Sequence, residues 1–262
     1  MNGVNKTLYI PLYGKAYVSE KGIILHDEKA EDIWSKEGFM LRGKSKSKWL
    51  AYYMGMRARV FDNWVTEKIK KLDDTTVIHI GCGMDSRALR VGFENCSWYD
   101  VDFPEVIKER RRYYNDTDNY KMISGDVRED EWLSHITVTK NAIIVMEGVS
   151  MYLRPEELKN LINNLKNNFS HLHILMDCYT IFAAKASKYK NPINDVGVTE
   201  VYGIDDPTVL SEGTSISFVC EQEMTPLSLI DELCGMERRI FKKLYAGKIA
   251  KKMYRLYEYR TV

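Results

Sequence analysis

The chain of 262 residues lacks several features that mark large protein classes. No apolar run approaches the ~20 residues that a membrane span needs, and Met1 to Lys6 is polar where an export signal would carry an apolar core. A cytoplasmic protein with no membrane among its partners is therefore expected. The five cysteines (Cys82, Cys96, Cys178, Cys220 and Cys234) include no Cys-x-x-Cys pair. An odd count without an export signal points to reduced thiols, not to a disulfide framework. His171 and His173 share one face of a strand-like run, but no third or fourth ligand stands nearby, so no metal centre is expected. Internal repeats, low-complexity tracts and linkers are missing too. One domain with a sizeable core is the expected organisation.

What is present is ordinary in composition, 45% hydrophobic and 29% charged, and patterned in sequence. The first seventy residues read as mostly helical. Asp27–Trp34 is short and amphipathic, and in Lys48–Leu72 the residues Trp49, Tyr52, Met56, Val60, Trp64 and Ile69 recur at helical spacing. With no strand nearby, residues 1–72 should cap a sheet. Strands then alternate with helices. The strands fall at Thr76–Ile80, Ser97–Val101, Tyr120–Ser124, Asn141–Met146 and Leu172–Cys178. The helices fall at Asp85–Gly92, Pro104 to about Tyr114, Glu129–His135 and Pro155–Asn168. This alternation predicts a parallel sheet covered on both faces. Periodicity fails from Tyr179 to Thr214, which reads as an inserted lid. Ile216–Glu221 and Tyr254–Tyr259, with a helix at Pro226–Cys234, suit a closing antiparallel hairpin. The expected fold class is α/β: a Rossmann-like, seven-stranded, mostly parallel sheet with a helical cap and a lid.

The densest information lies in residues 77–102. Val77 to Ile80 is a short apolar run that breaks at Gly81-Cys82-Gly83, and a second strand ends on Asp102, nineteen residues after Gly83. Open α/β sheets build nucleoside pockets this way: glycines let backbone approach the ligand, and an acid at the next strand tip takes the ribose hydroxyls. Ser86 stands where a dinucleotide fingerprint needs its third glycine. A pyrophosphate loop is thus disfavoured, and a single nucleoside such as S-adenosylmethionine fits better. Asp126 after the third strand and Glu147-Gly148 after the fourth extend the series. Each alone has a plainer reading, Asp102 as a helix cap or Glu147 as a buried partner of Arg87 or Arg57. Their order and spacing together carry the signal.

Four segments then resemble the leucine carboxyl methyltransferase family, including its bacterial tetracenomycin-type O-methyltransferases. They are Gly-Cys-Gly-Met-Asp-Ser-Arg (81–87), Asp-Val-Asp-Phe-Pro-Glu-Val-Ile (100–107), Ser-Gly-Asp-Val-Arg (124–128) and Met-Glu-Gly-Val-Ser-Met-Tyr-Leu (146–153). Met-Arg-Ala-Arg-Val-Phe-Asp (56–62) is similar to the family's Arg-bearing helix. The resemblance implies a class I methyltransferase using S-adenosylmethionine. By matching position, Gly81, Cys82 and Gly83 would line the methionine end, Asp102 would take the ribose, and Asp126 and the Val127 amide would meet the adenine. Arg57 would pair with the cofactor's carboxylate, Lys15 would match a basic N-terminal residue, and Glu147 would sit near the ammonium or sulfonium.

Tyr152 and Tyr179 follow strand ends at the same sheet edge, where they face the sulfonium or the acceptor, or else belong to the core. A carboxylate acceptor, of a small molecule or a peptide C-terminus, is already ionised at neutral pH and needs no general base, whereas a phenol would want one. No base is evident in the cap, so the carboxylate is favoured over a phenol or hydroxyl acceptor. Two further readings stand beside it. One is a nicotinamide-dependent oxidoreductase, opposed by Ser86. The other is a non-catalytic nucleoside-binding module that docks an acidic partner. That module would use residues 237–260, where nine Lys or Arg face two acids. A solvated helix face is the commoner meaning of such a run, and nucleic acid is not an expected partner.

Overall fold

The computed structural model describes residues 8–37, 43–187 and 200–261. Three helices come first: α1 (Tyr9–Glu20), α2 (Glu28–Glu37) and α3 (Lys48–Lys71). Five strands follow: β1 (Thr75–Ile80), β2 (Ser97–Asp102), β3 (Tyr120–Ser124), β4 (Asn141–Met146) and β5 (His171–Tyr179). Between them lie α4 (Arg87–Val91), α5 (Pro104–Arg110), a 3-10 turn at Glu131–His135 and α6 (Pro155–Asn168). Next come α7 (Ile181–Ser187), β6 (Ile216–Glu221), α8 (Leu227–Ile230), α9 (Gly235–Leu244), α10 (Gly247–Ala250) and β7 (Tyr254–Thr261). The strands form one seven-stranded sheet in the order β3-β2-β1-β4-β5-β7-β6. β1 to β5 are parallel, and β7 runs antiparallel between β5 and β6. The expected sheet and its antiparallel close are both present.

β1 and β4 are buried along their whole length, which is why they read as near-continuous apolar runs. Alternate residues serve opposite faces. Val77, Ile143, Val145 and Leu175 pack in one cluster with Ile33, Met56 and Phe61 of the N-terminal helices. Ile78, Ile80, Ile144 and Met146 pack with Leu158, Leu161, Ile162 and Leu165 of α6. α1 and α3 cross closely because small residues meet there. A Cβ on Gly14 would lie 2.8 Å from Met54 Cβ, and one on Gly55 would lie 2.7 Å from Val18 Cγ2. The chain leaves β1 toward β2 on one side and returns to β4 on the other. The C-terminal ends of β1 and β4 therefore flank the switch point where open α/β sheets place their ligands.

Three expectations need correction. α4 starts at Arg87 instead of Asp85, because the side chains of Asp85 and Ser86 turn to bond Arg90. The helix expected at Pro226–Cys234 is only α8, and the basic segment after it forms α9 and α10. The stretch 179–214 is not one irregular lid. It holds α7, and residues 200–214 are tied to the sheet: Tyr202 N–H donates to Met151 O and Ile204 N–H to Tyr179 O, both at 2.8 Å. The Tyr257 and Tyr259 hydroxyls donate to the carbonyls of Asp205 and Pro207, both at 3.0 Å. The rest of the expected lid, 188–199, lies outside the described residues, as do 1–7 and 38–42.

Candidate active site

Gly81 and Gly83 follow β1 with φ of +64° and +52°, the left-handed region where a side chain is strained. A Cβ on Gly81 would also run into Val149, and one on Gly83 would lie 3.1 Å from Leu8 Cδ2. The loop is pinned from both sides. Asp102 at the tip of β2 accepts the Gly83 N–H through Oδ2 and the Phe103 N–H through Oδ1, both at 2.8 Å. Arg110 donates to Gly83 O at 2.9 Å and pairs with buried Asp100. Burial lifts the Asp102 carboxyl to about 6, even against the amide bonds from Gly83 and Phe103. Asp100, by contrast, is held at about 2, because Arg110 and His79 outweigh the burial that opposes its charge.

Beside this loop lies a buried charge network. Arg57 on α3 donates Nε and Nη2 to Glu147 Oε1, both at 3.0 Å, and Nη1 to Asp177 Oδ2 at 2.7 Å. Asp177 also accepts the Gly148 N–H at 2.6 Å. Lys15 on α1 lies 2.9 Å from Asp85 and 3.9 Å from Glu147. Arg87 binds the far oxygen of Glu147 and reaches Asp62 at 2.8 Å. Arg90 bonds Asp27, Asp62 and Asp85. Burial alone would raise Glu147, but Lys15, Arg57 and Arg87 outweigh it and hold it at about 2. Asp85 is likewise held well below the carboxylate range, chiefly by Arg90 and Lys15 against burial. At Asp177 burial wins and the carboxyl is pushed up, despite Arg57. His79 Nε2 sits 2.9 Å from Arg87 Nη1, and because a guanidinium only donates, Nε2 accepts and Nδ1 carries the proton. Burial and Arg87 lower its pKa, so the ring stays neutral.

The two features share a cavity of about 170 Å³. Its floor is Gly81–Asp85 with Glu147-Gly148, and its walls are residues of α1, Leu50 and Met54 of α3, Met151, Tyr152, Tyr179 and Tyr254. Of the residues expected at the site, Lys15, Arg57, Gly81, Cys82, Gly83, Glu147, Tyr152 and Tyr179 meet here. Asp102, Asp126 and Val127 do not line the cavity. They form the strand edge next to it, where Gly125 N–H donates to Asp102 O at 2.9 Å. Asp126 is partly exposed, pairs with Arg128, and is lowered by that hydrogen bond. Sequence reasoning missed Asp177, although an acid closing the apolar run Ile-Leu-Met was a visible signal. It also missed the wall of Leu8, Ile10, Pro11 and Leu12 and left Asp85 unassigned inside a quoted motif, whereas the pairing of Glu147 with Arg87 that it offered as the plainer reading is present.

Whether S-adenosylmethionine suits this site is a question of charge and shape. Five acids of the network (Asp27, Asp62, Asp85, Glu147 and Asp177) meet four cations (Lys15, Arg57, Arg87 and Arg90). With His79 neutral the cluster carries a formal excess of one negative charge. The cofactor, with one carboxylate, one ammonium and one sulfonium, carries a net positive charge of one. The glycine cradle has no room for side chains where that ligand's backbone contacts would fall. The residues fit the group.

Sheet order, two-glycine loop and strand-tip acid together define a class I methyltransferase that uses S-adenosylmethionine. Within that class, the chain belongs to the leucine carboxyl methyltransferase family, whose model matches residues 11–166. It is 28% identical over 215 residues to the tetracenomycin polyketide synthesis O-methyltransferase TcmP of Streptomyces glaucescens, covering 80% of this chain and 78% of that protein. It is 26% identical over 235 residues to the S-adenosyl-L-methionine-dependent methyltransferase dpfgK of Gibberella zeae, with the same coverage of 80% and 78%. In fold it is similar to the magnesium protoporphyrin IX methyltransferase of Synechocystis PCC 6803, solved with bound SAH, at a TM-score of 0.54 and 11% identity over 90% of this chain and 94% of that one. The plantazolicin methyltransferase BpumL, solved in complex with SAH, gives a TM-score of 0.50 at 12% identity over 98% and 96%. The protein is an S-adenosylmethionine-dependent O-methyltransferase.

Proposed function

We propose that the methyl acceptor is a carboxylate, carried by a small molecule or a peptide C-terminus. One observation carries this reading: among the described residues, no group lining the cavity is poised to take a proton near neutral pH. Asp85 and Glu147 are ion-paired and held far below neutrality. His79 is buried with its accepting nitrogen filled by Arg87. The hydroxyls of Tyr152 and Tyr254 are raised by burial, so they remain protonated. A phenol or alcohol would need a base to become a nucleophile, whereas a carboxylate with pKa near ~4 arrives ionised.

The roles follow from placement. When bound, S-adenosylmethionine supplies an electrophilic methyl group to an incoming oxygen. Lys15 and Arg57 would hold its carboxylate, Arg57 with the planar fork suited to that group. Glu147 would meet the ammonium. Asp102 would accept the ribose hydroxyls, and Asp126 with the Val127 amide would take the adenine at the open edge. Gly81, Cys82 and Gly83 would lie under the methionine end. Tyr152 and Tyr179 would line the acceptor side, orienting the oxygen and excluding water, since orientation can contribute on the order of 7–11 kcal/mol. We read the chain as one catalytic unit, with residues 1–72 as its cap and 76–178 as its nucleoside-binding core.

The test compares matched aromatic and aliphatic carboxylic acids, short peptides and the corresponding phenols, reading S-adenosylhomocysteine formation. Carboxylic acids should turn over with a rate flat from about pH 7 to 9, because no base has to be deprotonated. Turnover of phenols alone, rising with pH, would overturn the reading.

A further inference from the structure

The basic segment 237–260 takes no part in the site, yet its charges are arranged. Its two acids turn inward to α3: Glu237 pairs with Lys48 at 2.6 Å and bonds Tyr52, and Glu258 pairs with Lys68 at 2.8 Å. Of its cations, Arg238 reaches Asp231, while Lys251 and Arg255 share Glu221. Before β7, Arg239, Lys242, Lys243, Lys248 and Lys252 are exposed and have no ion-pair partner among the described residues, and on β7 the same holds for Arg260. Large apolar side chains stand between them. Met236 is 74% exposed, Leu244 50%, Ile249 49% and Met253 40%. In α9, Met236, Arg239, Ile240 and Lys243 fall at i, i+3, i+4 and i+7, one stripe of the helix surface. The opposite face carries Glu237 and Phe241, and Phe241 packs on Tyr52 with ring centroids 6.2 Å apart.

The surface continues to the mouth of the cavity. Thr180 donates its N–H to Met253 O at 3.1 Å and its hydroxyl to Lys252 O at 2.7 Å. Directly after Thr180, α7 exposes Ile181 and Phe182, and directly after Met253 comes Tyr254, a wall of the cavity.

We propose that this face, α9 and α10 with the start of α7, docks the protein on the surface of an anionic lipid bilayer. Unpaired cations attract acidic headgroups, and interleaved aliphatic side chains enter the boundary between headgroup and acyl chain. The composition separates this occupant from the others. Four of the five free cations that precede β7 are lysines, which protein interfaces are depleted in. The exposed apolar residues of α9 and α10 are aliphatic or thioether, whereas single-stranded nucleic acid is held by stacking on aromatics. The aromatics there, Phe241 and Tyr245, are packed on Tyr52 and Trp49, which leaves Phe182 of α7 as a lone exposed ring, too few for a stacking platform. No described helix is long and apolar enough to cross a membrane, and docking on the surface needs none. The expectation of no membrane partner rested on a missing span and a missing export signal, and neither bears on docking at a surface.

Sedimentation of the whole protein with vesicles tests the proposal. Vesicles of phosphatidylcholine with phosphatidylserine should carry the protein down at low salt, and pure phosphatidylcholine vesicles should not. Raising salt to ~1 M, where the screening length is only ~3 Å, should release it. Neutralising Lys243, Lys248 and Lys252 to Gln should weaken partitioning by roughly fivefold per lysine. Leu244→Ser with Ile249→Ser, which leaves every charge in place, should weaken it as well. Affinity for S-adenosylhomocysteine should stay unchanged in both variants and so reports that each is folded. No sedimentation with anionic vesicles, or equal sedimentation with both kinds, would overturn the proposal. So would capture by polyglutamate without vesicle binding, which would assign the face to an acidic protein.

Discussion

With Asp102 on the ribose, as proposed, cofactor binding should depend on pH in a range where the cofactor itself does not titrate. Burial holds the carboxyl at about 6 in the free protein, above its ordinary value near ~3.9. The ribose hydroxyls donate, so they favour the ionised form. Binding therefore expels a proton whenever the free protein starts out protonated. At pH 7 about nine-tenths of the free protein has Asp102 ionised, and at pH 5 about one-tenth, so the affinity should fall about tenfold between them. The sign on stability is opposite for the ligand-free protein. A raised carboxyl contributes stability that is fully present below about pH 4 and is lost as pH rises through about 6, because the folded state binds more protons than the unfolded one. Calorimetric titration with S-adenosylhomocysteine at pH 5, 6, 7 and 8 measures the affinity, and repeating it in buffers of different ionisation enthalpy counts the proton. Asp102→Asn should bind more weakly at pH 7 and lose the pH dependence. A wild-type affinity unchanged between pH 5 and 7 would refute the reasoning.

Other perturbations follow from the same geometry. Asp102→Ala should weaken binding of S-adenosylhomocysteine by ~1.5–3 kcal/mol, as for lost hydrogen bonds to a charged group, read by the same titration. Asp177→Ala leaves Arg57 with Glu147 as its one acid among the contacts seen, and breaking such a buried pair should cost about 3–5 kcal/mol in urea denaturation. Gly14→Val drives a side chain into Met54 at the crossing of α1 and α3 and should lower stability by ~1–3 kcal/mol as overpacking does. Hydrogen exchange on adding S-adenosylhomocysteine should protect residues 8–15, which supply one wall of the cavity, and leave 200–214 nearly unchanged, because that stretch is already bonded to the sheet.

Much of this molecule was legible in its sequence, for reasons that are local. β1 and β4 are buried on both faces and so are apolar throughout. Gly81 and Gly83 hold positive φ, and Asp102 caps the strand whose spacing from them is set by one β-α-β unit. α1 was hidden for the converse reason. Its buried positions include Ile10, Leu12, Tyr13, Gly14, Lys15, Ala16, Val18 and Ser19, so it has no wide polar face and shows little helical contrast. Residues 200–214 looked like a lid because what anchors them, the hydroxyls of Tyr257 and Tyr259, comes from some fifty residues away and leaves no trace in periodicity. Asp177 escaped because its partners, Arg57 and Gly148, lie on other elements. Sequence spacing shows the chemistry of a strand tip, not which neighbours it faces.

The most direct test of the carboxylate assignment is the fate of the transferred methyl group. Product made from methyl-labelled S-adenosylmethionine and a reactive acceptor is treated with mild base and the volatile fraction counted. Release of the label as methanol is expected, because a methyl ester hydrolyses under those conditions. Label that stays with the acceptor would mark an ether and contradict the account.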